Sequence, residues 1–178
     1  NIKNSKIFLG IGRLITNDNK ENQPYSEGEI CVFHNGIVVN DNSIFKNENI
    51  IRKSNLDTEI FHALTKKYIY DKDVDLDKIK DIFFDKCFGT FSIALALPKL
   101  GKLILSSNHG SLYYGKKKNL VIFSSEKFHL LSLNCKKIKK LNDKLKILNI
   151  PQSSSLPINI KELKINRINL VPKNNFLD

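Results

Sequence analysis

The sequence predicts a layered α+β domain in which helices cover one face of a set of antiparallel strands. Two mid-chain stretches carry apolar residues at helical spacing. After them the period changes to four short β runs, separated by breaks too short for a parallel crossover, so the strands are expected to be antiparallel neighbours. Two of those runs, "FSIALAL" and "LVIF", are apolar nearly throughout, as in strands buried on both faces, so the sheet is expected to stack on a further layer.

Taken in chain order, "IFLGIGRLIT" (Ile7 to Thr16) reads as a short strand entering a loop, and the polar "NDNKENQPYSEGE" after it as an extended surface connection. Ile30 to Phe33 and Ile37 to Val39 are short β-branched runs on either side of Asn35-Gly36. Asn-Gly in that setting is a strong hairpin signal, because both central residues of the tight turn need positive φ. The segment "NDNSIFKNENIIRKSN" reads as a loop that ends at a helix start. There Ser54-x-x-Asp57 resembles a capping box, and Ile60, Phe61, Leu64 and Tyr68 recur at helical spacing, which predicts a helix from about Asp57 to Tyr70. A second helix takes Asp75 as its cap, puts Leu76, Ile79, Ile82, Phe83 and Cys87 on one face and ends near Phe88-Gly89. The runs "GTFSIALALP", "KLILSSN", "SLYYG" and "LVIFSSE" are expected to form a meander. Beyond Lys136 the pattern weakens: "NIPQSSSLP" looks like a linker, and "INIKELKINRINLV" offers at most two more strands.

The 178 residues and 41% hydrophobic content suit one domain, or a domain plus a tail, with a core of its own. No apolar run reaches the ~18 residues that a bilayer crossing needs, and no signal-peptide stretch opens the chain. A soluble protein with no membrane contact is expected. Cys31, Cys87 and Cys135 are odd in number and widely spaced, which argues against a disulfide framework or a zinc site and for a reducing cytoplasm. The net charge of +11 raises a nucleic-acid hypothesis. Its densest runs, "GKKKN" and "CKKIKKLNDKLK", have no interleaved aromatics of the kind that stack bases, so they read as a solvated face and no nucleic-acid partner is expected. Methionine is absent even from position 1, so the sequence reads as a processed product or an excerpt of a longer chain.

Four features stand in order along the chain: "GIGRLITND" with Arg13, "FHNGIVVN" with Asn35 and Gly36, "SNLDTEIFHAL" with Asp57, and the strand block "GTFSIALAL…LILSSNHGSLYYG…LVIFSSEKFHLL". Together, from about Gly10 to Leu131, they resemble the class II glutamine amidotransferase domain. This is the N-terminal-nucleophile glutaminase of glucosamine-6-phosphate synthase, asparagine synthetase B and related sugar amidotransferases. The resemblance implies an αββα sandwich of antiparallel sheets, incomplete here at its N-terminus. It implies residues 1–135 as the amidotransferase-like domain and 136–178 as terminal strands and a linker toward a synthase domain.

For the site, the resemblance implies that Arg13 holds the α-carboxylate of glutamine, a bidentate task suited to a guanidinium. It implies that Thr16 contacts the substrate and that Asp57 binds its α-ammonium. Asn35 and Gly36 would form the oxyanion hole, donors aimed in advance at the charge that develops on the attacked amide. It implies no cofactor and no metal, glutamine as substrate, a synthase or transferase domain receiving the ammonia, and leaves a homo-oligomer open. Blander readings stand beside each role: a surface ion pair for Arg13, a strand end for Thr16, a hairpin turn for Asn35-Gly36, and a helix-terminus carboxylate for Asp57. His34, His62 and His109 are read as structural or surface residues.

The sequence also departs from the family. Its nucleophile is an N-terminal cysteine whose own amine takes the thiol proton, and position 1 here is Asn1. Cys31 reads as a small buried hydrophobe, and Cys87 and Cys135 are no better placed. Leu14 and Asn17 stand where the glucosamine-6-phosphate synthase branch has tryptophan and histidine. The leading expectation is most of a glutaminase domain whose cysteine segment lies outside this sequence, with unpaired sheet edges and poor solubility in isolation. The alternative is a nucleophile-less domain that binds glutamine or a protein partner without catalysis.

Overall fold

The computed structural model describes residues 7–12, 22–70, 72, 75–117, 120–133, 146–161 and 164–165. The first hairpin joins β1 (Tyr25–Glu27) to β2 (Ile30–Val38). Glu27 pairs with Ile30, so Gly28 and Glu29 form the turn, with Gly28 at φ +62°. The tight turn therefore lies in "EGE", inside the stretch expected as a surface connection, and Asn35-Gly36 runs through the interior of β2. Ile7 to Gly12 carries no strand; Ile7 and Leu9 pack on the core instead.

Helix α1 (Asp41–Asn47) occupies the segment expected as a loop. At seven residues it is too short to announce itself by periodicity, and its buried Ile44 and Phe45 anchor it by tertiary packing. Helix α2 (Glu59–Thr65) continues as a π turn over Lys66–Tyr70, so the predicted helical span holds while its geometry changes. The widening begins where the Thr65 hydroxyl donates to the Phe61 carbonyl at 2.6 Å. The expected capping box does not form as such. The Glu59 carboxylate accepts from the Lys53 and Ser54 N–H groups, and the Ser54 hydroxyl accepts from Leu56 N–H. A 3-10 turn (Leu76–Lys78) leads into α3 (Ile79–Lys86), close to expectation.

The strands β3 (Gly89–Leu97), β4 (Lys102–Ser107), β5 (Tyr113–Lys117) and β6 (Leu120–Ser124) fall where predicted, but they do not form one meander. After β4 the chain leaves its sheet. One sheet has the order β1-β2-β3-β4-β8-β9 and the other β6-β5-β7, where β7 is Ile147–Asn149, β8 is Ser154–Asn159 and β9 is Lys164–Ile165. The presumed linker "SSSLP" is thus largely β8, paired antiparallel to β4 along its length. β3 is buried on both faces as predicted, whereas "LVIF" in β6 is half-buried at the edge of the smaller sheet.

Two cores follow from this layering. One lies between the larger sheet and helices α1 to α3, around Phe61, Phe83 and Phe91; the other lies between the sheets, around Leu105, Tyr114 and Leu156. The short helix α4 (Lys127–Leu131) packs on β5 and β6. No helix among the described residues is long and apolar enough to cross a membrane.

Candidate functional site

The site grows from an interruption in strand pairing. β3 follows β2 from Cys31 to Val38, but on the other edge β1 goes no further along β2 than Val32. Beyond that point the edge is closed by side chains. N–H groups alternate between the two edges of a strand, and Val39 N–H donates toward β3, to the Phe88 carbonyl at 2.9 Å. The even-numbered N–H groups therefore face the open edge. His34 N–H donates there to Gln23 Oε1 at 2.9 Å, and Val38 N–H donates to Asp57 Oδ2 at 2.8 Å. The same alternation puts the Gly36 N–H between these two.

Residue 36 has to be glycine for two reasons. Its φ of +137° lies in the region that side chains avoid, and a Cβ there would meet the Thr90 carbonyl oxygen at 2.0 Å. Close approach of β3, and not a turn, is what requires the glycine at position 36.

Asn35 and Gly36 form part of the wall of a cavity of about 450 Å³ between the two sheets. That volume lies within the ~300–1,000 Å³ usual for small-molecule sites. Phe33, Ser92 and Ala94 extend the same wall, Leu112, Phe123 and Ser124 face them, and Gly10 to Gly12 border the cavity. A second cavity, of about 570 Å³, lies by α2, but its acidic groups are already engaged. There Glu48 pairs with Lys67, Glu27 with Lys53, and Glu59 holds backbone N–H groups.

Asp57 sits at the end of the open edge of β2, outside the cavity wall. Burial pushes its carboxyl up, but the adjacent His34 imidazole and the Val38 and Thr58 N–H groups outweigh this, leaving it below the usual aspartate value. His34 Nδ1 is 3.3 Å from Thr58 Oγ1 and 3.6 Å from Asp57 Oδ1. His34 is 2% exposed as a residue, its ring packs edge-on against Phe61, and its Nε2 has no partner among the described residues.

Of the residues expected in the site, Asn35 and Gly36 come together at the cavity and Asp57 joins the same strand edge. Arg13 and Thr16 lie outside the described residues, next in the chain to the cavity-lining Gly12 or close to it. Burial raises the thiol of Cys31, against a hydrogen bond with Ser26, and it pushes that of Cys87 up to about 12. Neither lines the cavity; Cys87 is buried, and Cys31, read as a small buried hydrophobe, is only partly buried. Cys135 lies outside the described residues. Sequence reasoning missed Gln23, Ser92 and the contact between His34 and Asp57. The one available signal was Ser92, a polar residue inside an apolar run.

Residues 12–132 match the model of a family described as a glutamine amidotransferase domain. The chain belongs to that family. Among solved structures, this amidotransferase domain resembles the glutamine phosphoribosylpyrophosphate amidotransferase from B. subtilis, whose structure holds ADP and GMP, with 19% identity and a TM-score of 0.55. It resembles equally a structure described as the allosteric regulatory enzyme of purine biosynthesis, with 19% identity and a TM-score of 0.56. Each alignment covers 82% of this chain but only 31% and 30% of those longer chains. At that identity the likeness establishes the fold, the antiparallel sandwich of N-terminal-nucleophile hydrolases. A search of curated proteins finds no match to the sequence. Among the described residues no cluster of His, Cys, Asp or Glu could hold a metal ion.

Proposed function

We propose that the domain is a glutaminase that hydrolyses the side-chain amide of glutamine to glutamate and ammonia. The ammonia would pass to an acceptor such as a sugar phosphate, a nucleotide sugar or aspartate, bound by a synthase or transferase domain. The observation that carries this reading is the placement of Asn35 and Gly36. The Asn35 side chain projects between the sheets on the face shared with Phe33, and the Gly36 N–H faces the stretch of β2 edge that β1 leaves unpaired. Both border one cavity and are donors suited to a developing oxyanion. Asp57, kept ionised at the end of that edge, suits the substrate α-ammonium. Arg13, the residue after Gly12, suits its α-carboxylate. Thr16 belongs to the same segment and is assigned a substrate contact.

Ammonia release from glutamine by the intact protein tests this directly. Asn35→Ala is expected to lower the rate by ~100-fold or more while leaving glutamine affinity nearly unchanged, since an oxyanion donor acts in the transition state. Asp57→Asn is expected to weaken glutamine binding itself. A second reading is favoured by the placement of Cys31 and Cys87 away from the cavity: the domain binds glutamine or a protein partner and does not hydrolyse glutamine. Calorimetric heat on adding glutamine, with no ammonia produced, would select that reading.

A further inference from the structure

Ser92 is paired with Asn35 in the β2–β3 ladder, so the two side chains project side by side into the space between the sheets. Both border the cavity. Ser92 Oγ lies 2.8 Å from Ser107 Oγ and 3.0 Å from the Ser111 carbonyl oxygen, and Ser107 Oγ accepts from Gly110 N–H at 3.0 Å. A hydroxyl has one proton and two acceptor lone pairs. A carbonyl can only accept, so the Ser92 proton goes to Ser111 and the Ser107 proton goes to Ser92. The opposite polarity would leave the Ser111 carbonyl facing an oxygen with no hydrogen between them. Among the described residues, the count leaves Ser92 Oγ with one free lone pair and no proton to donate.

We infer that Ser92 is a specificity-determining residue that accepts a hydrogen bond from the carboxamide –NH2 of glutamine. The inference rests on the glutamine reading above and adds to it the group that tells substrate from product. A carboxamide offers one acceptor oxygen and two N–H donors. With its oxygen turned to Asn35 and Gly36, its nitrogen faces an acceptor. A carboxylate has oxygens at both positions, so glutamate sets a lone pair against the Ser92 lone pair with no proton available to either. A site built around a substrate N–H rejects the analogue that lacks it far more strongly than shape alone would.

The test is calorimetric affinity for glutamine and for glutamate, measured on the intact protein and its variants. Ser92→Ala is expected to weaken glutamine by ~10-fold and leave glutamate unchanged or tighter, collapsing the ratio of the two. Ser92→Thr keeps the acceptor and the ratio. Ser107→Ala removes a neighbour of Ser92 but not its bond to Ser111; it should lower the thermal midpoint much as Ser92→Ala does and leave the ratio within about twofold. If Ser92→Ala fails to fold, the near-isosteric Ser92→Cys, a poor acceptor, should show the same collapse. An unchanged ratio in folded Ser92→Ala or Ser92→Cys, or an equal collapse in Ser107→Ala, overturns the inference and spares the glutamine reading. A wild-type protein that binds no glutamine overturns both.

Discussion

The two faces of β3 are built from different materials. Toward the helices it presents Phe91, Ile93, Leu95 and Leu97, and Phe91 joins a ring cluster in which Phe61 lies 5.1 Å from Phe91 and 5.2 Å from Phe83. Toward the second sheet it presents Ser92, Ala94 and Ala96, side chains too small to fill the gap. The cavity lies against Ser92 and Ala94 of that face. The difference teaches a division of labour within one strand: the aromatic face supplies packing that holds the backbone rigid, and the small face spends none of its area on filling the site.

Substitutions can break this contrast, and the largest effect is expected where the faces share a backbone. Gly36→Ala forces a Cβ into the Thr90 carbonyl and an unfavourable φ, and should cost more than ~4 kcal/mol in urea denaturation, removing both stability and ligand binding. Phe61→Ala should cost ~3–5 kcal/mol, while the fraction that stays folded keeps its glutamine affinity. Ala94→Val pushes into the cavity from the small face. It should change stability by less than ~1.5 kcal/mol yet lower glutamine affinity by ~10-fold, which calorimetry would separate from a folding defect.

The smallest effect is electrostatic and belongs to the helix side. Burial raises the Glu48 carboxyl, but hydrogen bonds from Lys67, Lys86 and Tyr68 outweigh this and hold it at about 2, against 4.5 ordinarily. A carboxyl with a depressed folded-state value stabilises the fold above its unfolded value. That contribution is fully present above about pH 4.5 and is lost as pH falls toward about 2. Glu48→Gln should flatten the thermal midpoint against pH across that window and leave the cavity side unaffected.

What could be read from the sequence tracks how local each cause is. The helices around Ile60, Phe61, Leu64 and around Ile79, Phe83 show in the sequence because one turn of periodicity suffices to reveal a buried face. Strand β8 does not show, because "PQSSSLP" has the composition of a linker. Only pairing with Ser106 and Ser107 on β4 turns those serines into buried sheet residues. The same limit governs the site. Asn35, Gly36 and Asp57 could be named from the wording of short motifs. The hairpin reading of Asn35-Gly36 failed because the demand for glycine comes from a strand some fifty residues away. Ser92 stands out in the sequence only as a polar residue in an apolar run, and it takes the register of β2 and β3 to set it beside Asn35.

The place of β8 also has a consequence for the order of synthesis. Ser154 bonds across to Ser106, 48 residues earlier in the chain, and the family match ends at residue 132, before β8 begins. A ribosome moving at ~5–20 residues per second therefore exposes β4, with its Leu-Ile-Leu run and unpaired backbone edge, for several seconds before the strand that seals it exists. During that interval this apolar sheet edge is open to any other strand. A nascent chain stalled or cut between β6 and β8 is then the species that aggregates, and a holdase chaperone that covers β4 until residue 159 emerges should raise the yield of native protein more than any change to the cavity.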